Sequence, residues 1–132
     1  MVISYKVNTK IEAHQLAQLF KDSGIRRPVD DLNRLKKMIE NANLLVTAWD
    51  GEKLVGVARA LTDFGYCCYL SDLAVSKEYQ NNGIGHDLIN EVEKFIGEEC
   101  TLILLSPPEA MDYYPKLGFE KTDNAFIIPR KR

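Results

Sequence analysis

This sequence of 132 residues is short of cysteine, of net charge and of long apolar runs, and each shortage removes a class of protein. Only three cysteines occur, and Cys67 and Cys68 are adjacent. Neighbouring residues in a strand point to opposite faces, so this pair suits neither a shared metal site nor a simple disulfide. Cys100, between a predicted helix and an apolar strand, reads as a small core residue. His14 and His86 have no neighbour at metal-ligand spacing, and no metal is expected. The formal net charge of −2 creates no field that would gather nucleic acid, and the basic residues 130–132 are too few to change that. No apolar stretch approaches the roughly 20 residues that cross a bilayer, and the first residues lack a signal peptide's apolar run and cleavage site. A cytoplasmic protein without a membrane or nucleic-acid partner is therefore expected. No repeat, low-complexity tract or linker divides the chain, so one domain over residues 1–132 is expected, at a size where roughly two thirds of the unfolded surface is buried.

What is present is a regular alternation of patterns. Residues 2–7 alternate as a strand, and Ile11, Leu16, Leu19 and Phe20 then recur at helical spacing until Gly24. A second helix follows Pro28, with Leu32, Leu35, Met38 and Ile39 on one face. Asp50-Gly51 is the strongest hairpin signal, joining the β-rich run 43–49 to 54–61. Residues 66–75 form the next predicted strand, which runs into a polar, glycine-containing turn. Ile84, Leu88, Ile89 and Val92 then mark an amphipathic helix closed by Gly97. Residues 101–105 read as a strand, Pro107-Pro108 as the opening of a short helix through Tyr114, and 126–128 as a last strand. The predicted class is α/β (α+β), with a mixed, mostly antiparallel sheet.

Residues 75–85 put two glycines on the first turn of a helix directly after a strand. Such a turn leaves backbone N–H groups unpaired at the positive end of the helix dipole, where an anion fits. Gly83 and Gly85 carry no side chain to hold a diphosphate away from the backbone, although a helix start that merely needs glycine has the same spacing. No Gly-Lys-Ser/Thr closes the turn and the third glycine of a dinucleotide fingerprint is missing, so neither a P-loop nor a Rossmann turn is indicated.

Gln80, Gly83 and Gly85 closely resemble the acetyl-coenzyme A signature of the GNAT superfamily of N-acetyltransferases, Gln/Arg-x-x-Gly-x-Gly/Ala. The strand Leu73-Ala74-Val75 before it is also similar. A second segment, from Ala110 through Tyr113, Tyr114 and Gly118 to Phe119, resembles that family's Ala-x-x-Phe/Tyr-Tyr-x-x-x-Gly-Phe, and two ordered motifs are more specific than one. The resemblance implies a GNAT-like sheet splayed at the acetyl-CoA site. It also implies acetyl transfer from acetyl-CoA to a primary amine of a small molecule or peptide, by direct attack in a ternary complex. Pantetheine would lie against the exposed edge of Leu73, Ala74 and Val75, and the pyrophosphate on the turn of Gln80, Asn81, Asn82, Gly83, Ile84, Gly85 and His86.

By the same resemblance Tyr114 lies near the coenzyme sulfur and acts as general acid. A phenol with a reference pKa near 10 stays protonated at neutral pH. By its residues alone, Tyr114 is equally one of an aromatic pair packing a short helix. Some relatives carry Glu-Asp where this chain has Ser71-Asp72, so the glutamate often proposed as base is absent. Ser71, Asp72, Tyr69 and Asp63 are the remaining groups around the amine. Pro107 stands where many members have an asparagine that touches the coenzyme. Arg26 and Arg27 are placed to border the acceptor pocket. Competing readings are a catalytically weak acyl-CoA-binding module of the same fold and an interaction domain, the latter disfavoured by the acidic balance. The apolar strand expected at 126–128 suggests a homodimer.

Overall fold

The computed structural model describes residues 2–132. Its elements run β1 Ile3–Val7, α1 Ala13–Ser23, α2 Leu32–Asn41, β2 Leu44–Asp50, β3 Lys53–Thr62, β4 Cys67–Val75, α3 Ile84–Ile96 and β5 Thr101–Ile103, with short 3₁₀ turns at Lys77–Tyr79, Pro108–Ala110 and Tyr114–Leu117. The sheet has the order β1-β2-β3-β4-β5; its first four strands are antiparallel, and β5 joins β4 in parallel. The mixed α/β class and the mostly antiparallel sheet expected from the sequence are both present. No helix among the described residues is long and apolar enough to cross a membrane.

Local signals set the helix ends. Glu12 and Gln15 form a reciprocal capping box at the start of α1, and Gly24 ends it at φ +81°, a left-handed conformation that glycine adopts without a Cβ penalty. The Asp31 carboxylate accepts from the Arg34 N–H at the start of α2.

Helices α1 and α2 cover one face of the sheet and α3 the other. Leu16, Leu19, Phe20 and Leu35 pack there with Leu45, Trp49 and Val57. On the opposite face, Leu88, Ile89 and Val92 pack with Val46, Ala58 and Leu70. Two bulges interrupt the ladder. Trp49 pairs with Leu54 and Ala48 with Gly56, so Val55 is the extra residue of β3; Arg59 pairs with Asp72 and Ala60 with Leu70, so Ser71 is the extra residue of β4. The second bulge changes which face each residue of β4 meets: Cys68 and Leu70 pack towards α3, but beyond Ser71 it is Leu73 and Val75 that do so, while Ala74 packs towards α1.

Three expectations are corrected. Residues 126–128 form no strand; Phe126 and Ile128 are each 97% exposed. This triplet is followed by Pro129, which has no N–H to donate, and by three cations, and β5 offers it no extended partner because that strand stops at Ile103. The reason for expecting a homodimer, an apolar strand at the sheet edge, goes with it. The strand expected over 101–105 is cut short because the chain leaves β4 after Ile103. The helix expected from Pro107 to Tyr114 is instead two separate 3₁₀ turns.

Gly56 shows how tightly α3 sits on the sheet. A Cβ there would meet Ala48 Cβ, Ile84 Cγ2 and Leu88 Cδ1, each at 3.2 Å. Gly56→Val is therefore expected to destabilise the fold by about 1–3 kcal/mol, the usual cost of overpacking. Urea unfolding should show a lowered midpoint with little change in slope; an unchanged midpoint would mean that α3 shifts at no cost.

Candidate functional site

Strands β4 and β5 separate because they are paired over only three positions, Cys67 with Thr101, Cys68 with Leu102 and Tyr69 with Ile103. Beyond them β4 continues through the Ser71 bulge to Val75, while the chain after β5 turns away through Leu104 and Pro107. The gap widens into a cleft of about 1040 Å³ between Leu73 and Val75 on one side and Leu104 to Pro107 on the other. The α1–α2 loop and the turn before α3 also line it.

Two carbonyls of β4 on this side already accept from side chains: Ser71 O from Arg27 Nη2 at 2.7 Å, and Val75 O from Gln80 Nε2 at 2.9 Å. Backbone groups of a strand repeat every second residue, so Leu73, between them, presents its N–H and C=O on the same side. That is the free edge to which an extended amide can add.

Gly83 opens α3 at φ +78° with no side-chain cap. The first helical bond runs from the Asp87 N–H to Gly83 O at 3.0 Å, and among the described residues nothing accepts from the N–H groups of Ile84, Gly85 and His86. Three donors at a positive helix end, in the wall of a cleft, suit an anion. The two glycines serve different ends. Gly83 is required by its left-handed backbone, with open space where a Cβ would project, whereas a Cβ on Gly85 would lie 2.2 Å from the Tyr113 hydroxyl. The bare Cα of Gly85 is thus a seat for Tyr113.

The other residues of the turn divide their work. The Gln80 side chain ties the turn back to β4, and Asn81 and Gln80 line the cleft. Asn82 does not, because its amide donates to the carbonyls of Tyr79 and Gln80 at 3.1 and 3.2 Å. The His86 imidazole is more than half exposed and pairs with Asn90, so its backbone is what it offers the cleft. Pro107 lines the β5 side.

Tyr114 also lines the cleft, half-buried, with edge-on contacts to Tyr113 and Phe119 at ring separations of 5.3 and 5.6 Å. Burial pushes its phenol above the ordinary value, with Tyr113 adding to the rise and the Arg27 charge opposing it. The hydroxyl is therefore a proton donor across the neutral range. Packing and presentation to the cleft coexist in this one side chain.

The residues around the expected amine site sit differently. Asp72 has a fully buried side chain whose two oxygens accept from Arg27 Nε and Arg59 Nε. Ser71 accepts from Arg59 Nη2 through its hydroxyl at 2.9 Å. Asp63 lies at the tip of the β3–β4 hairpin, outside the cleft, where backbone N–H groups of Cys67, Gly65 and Tyr66 pull its carboxyl down to about 2. Tyr69 is paired with Ile103 and lies off the cleft. Arg59 carried no sequence motif, and the motif that contains Tyr113 gave no sign of its packing against Gly85. The signal for Arg59 was an arginine inside the apolar run 54–61, since a buried arginine requires an acid partner.

A sheet splayed between a parallel pair, with an uncapped glycine turn beside the gap, is an arrangement suited to an extended, phosphate-bearing ligand along a strand edge. The family model described as "Acetyltransferase (GNAT) domain" matches residues 16–127, and the chain belongs to this family of acetyltransferases. It is 30% identical over 123 residues to an uncharacterized N-acetyltransferase, ycf52, of Pyropia yezoensis, covering 86% of this chain and 68% of that protein. Its fold is similar to that of a probable acetyltransferase of unknown function from meticillin-resistant Staphylococcus aureus, with a TM-score of 0.83 and 23% identity over 99% of this chain and 100% of the other. It is also similar to the aminoglycoside N-acetyltransferase AAC(6')-Iy, whose structure is a complex with CoA, with a TM-score of 0.73 and 16% identity over 99% and 96% of the two chains.

The Arg27–Asp72–Arg59 cluster yields a stability prediction. Asp72→Ala leaves two guanidinium groups without their anion, one of them 9% exposed, and should cost about 3–5 kcal/mol. Arg27→Ala should cost less, because Arg59 still neutralises Asp72 and Arg27 is 27% exposed. Equal losses in the two variants, read from denaturant midpoints, would contradict this ranking.

Proposed function

We propose that the chain, as a single domain over residues 1–132, transfers the acetyl group of acetyl-CoA to a primary amine of a small molecule or peptide by direct attack in a ternary complex. The observation that carries this reading is that the free edge at Leu73, the uncapped N–H groups of Ile84, Gly85 and His86, and the Tyr114 hydroxyl all belong to one cleft. These residues fit the cosubstrate: three unpaired donors suit a diphosphate, and the strand edge suits the pantetheine amides. Pro107 brings no N–H or side-chain amide to the opposite wall, so the β4 edge carries that contact.

With both reactants held side by side, the amine nitrogen attacks the thioester carbonyl, the new C–N bond forms and the C–S bond breaks. Tyr114 gives its proton to the departing sulfur, and the amine's proton passes to water. Juxtaposition supplies a large part of the acceleration. Asp72, with both oxygens engaged, acts in this reading by positioning Arg27 rather than as a base, and Ser71 has its hydroxyl on Arg59. The lack of a free carboxylate near the amine is also what favours a second reading, a catalytically weak acyl-CoA-binding module.

Two experiments test these readings. Gly83→Val strains a left-handed position at the start of α3, and coenzyme A affinity by calorimetry should fall more than about tenfold while the fold persists. Unchanged affinity would place the diphosphate elsewhere. Tyr114→Phe should retain coenzyme A affinity within a few fold and lower the single-turnover rate by about 10²- to 10⁴-fold, the usual worth of positioned acid–base catalysis. Transfer at the parent rate would make Tyr114 a packing residue. No transfer by the parent to any amine tried, with coenzyme A still bound, would favour the binding module.

A further inference from the structure

Charge in the cleft is almost all of one sign. Its lining carries four cations, Arg26, Arg27, Lys77 and Lys116, against one carboxylate, Glu109, which lies on the β5 side. Lys77 is next to the turn that holds the diphosphate in the reading above. Arg26 and Arg27 are on the α1–α2 loop, and Arg27 reaches the Ser71 bulge. Asp72, the acid paired with Arg27, has no exposed side-chain surface and is shared with Arg59, so the cluster of these three keeps one unneutralised positive charge.

Arg27 is also held in one orientation. Its Nε donates to Asp72, Nη1 to Arg26 O at 2.6 Å and Nη2 to Ser71 O at 2.7 Å. An arginine has five N–H donors, so two are left without a protein acceptor on a side chain that remains 27% exposed in the cleft wall. A fixed guanidinium with spare donors and no remaining anion suits a carboxylate, and planar, charge-assisted pairs of this kind are stronger than neutral hydrogen bonds.

We propose that Arg27 receives a carboxylate of the acceptor, so that the amines acetylated here carry a carboxylate near the reacting nitrogen, and polycationic amines are rejected. This rests on the acetyl-transfer reading of the cleft. Rejection has two causes: polycations meet like charge at Arg26 and Arg27, and no free carboxylate beside these arginines offers to hold a second ammonium group. Arg27 and the proposed acid, Tyr114, line the same cleft.

The test uses α-amino acids, their carboxamides, spermidine and neamine as acceptors, with thiol release from acetyl-CoA as readout. At least one amino acid is expected to exceed its own carboxamide in kcat/KM by about tenfold or more, the usual worth of a charge-assisted pair, with both polycations below it. In Arg27→Gln the acid-to-amide ratio should fall to within about threefold of unity, and Arg27→Lys should restore part of it. The ratio is taken within one protein preparation, so a loosened fold does not imitate the effect. A ratio near unity in the parent, a ratio unmoved in Arg27→Gln, or preference for spermidine or neamine would overturn the proposal. The same acid and amide pairs are titrated into the coenzyme A-bound protein and followed by NMR. Tighter acid binding that depends on Arg27, without any turnover, would sink the transfer reading and leave the carboxylate site standing; equal binding of acid and amide would overturn the carboxylate site.

Discussion

The extra residue at Ser71 is the constraint on which the site depends. Without it, Cys68, Leu70, Asp72 and Ala74 would all face the same way, as alternate residues of a regular strand do. Asp72 would then point into the apolar layer under α3. The bulge reverses the parity at that point, so Leu70 and Leu73 pack with α3 while Asp72 meets Arg59 and Arg27 on the α1–α2 side. It also lies just beyond the last β4–β5 pair, Tyr69 with Ile103, where the two strands part. One inserted residue thus accompanies both the charge cluster and the cleft beside it.

The cluster is an expensive way to hold a loop. Burying Asp72 requires cationic partners to offset its desolvation, and such groups add less stability than an apolar core of the same volume. Its effect is geometric: Arg59, on β3, and Asp72, on β4, fix Arg27 of the α1–α2 loop against Ser71 O. The α1–α2 loop is thereby tied to the strand that borders the cleft. A further arginine donor, Arg59 Nη1, reaches Met38 O of α2.

Elsewhere in the cleft the glycines and tyrosines are coupled. Gly85 has no Cβ, which lets the Tyr113 hydroxyl sit against the first turn of α3, and Tyr114 packs edge-on between Tyr113 and Phe119. Glycine at 85 and tyrosine at 113 are therefore one packing decision made by two motifs about thirty residues apart in sequence. The second motif places Tyr114 at the start of the 3₁₀ turn Tyr114–Leu117, with Tyr113 before it and Gly118, at φ +94°, ending it.

The helices, the hairpin at Asp50-Gly51, the strand leading into the glycine turn and the family were legible from the residues themselves, because periodicity, caps and turn chemistry are local and the two GNAT-like motifs are contiguous. The sequence by itself thus determined the order of elements from β1 to β5 and the glycine turn that opens α3. Only the tertiary structure decided that Ser71 is bulged, that Asp72 faces two arginines, that β5 stops at Ile103 and that residues 126–128 join no sheet. Each of these depends on pairing between segments distant in sequence: Asp72 meets an arginine 45 residues away on one side and 13 on the other. An apolar triplet such as 126–128 becomes a strand only where an edge is left to receive it.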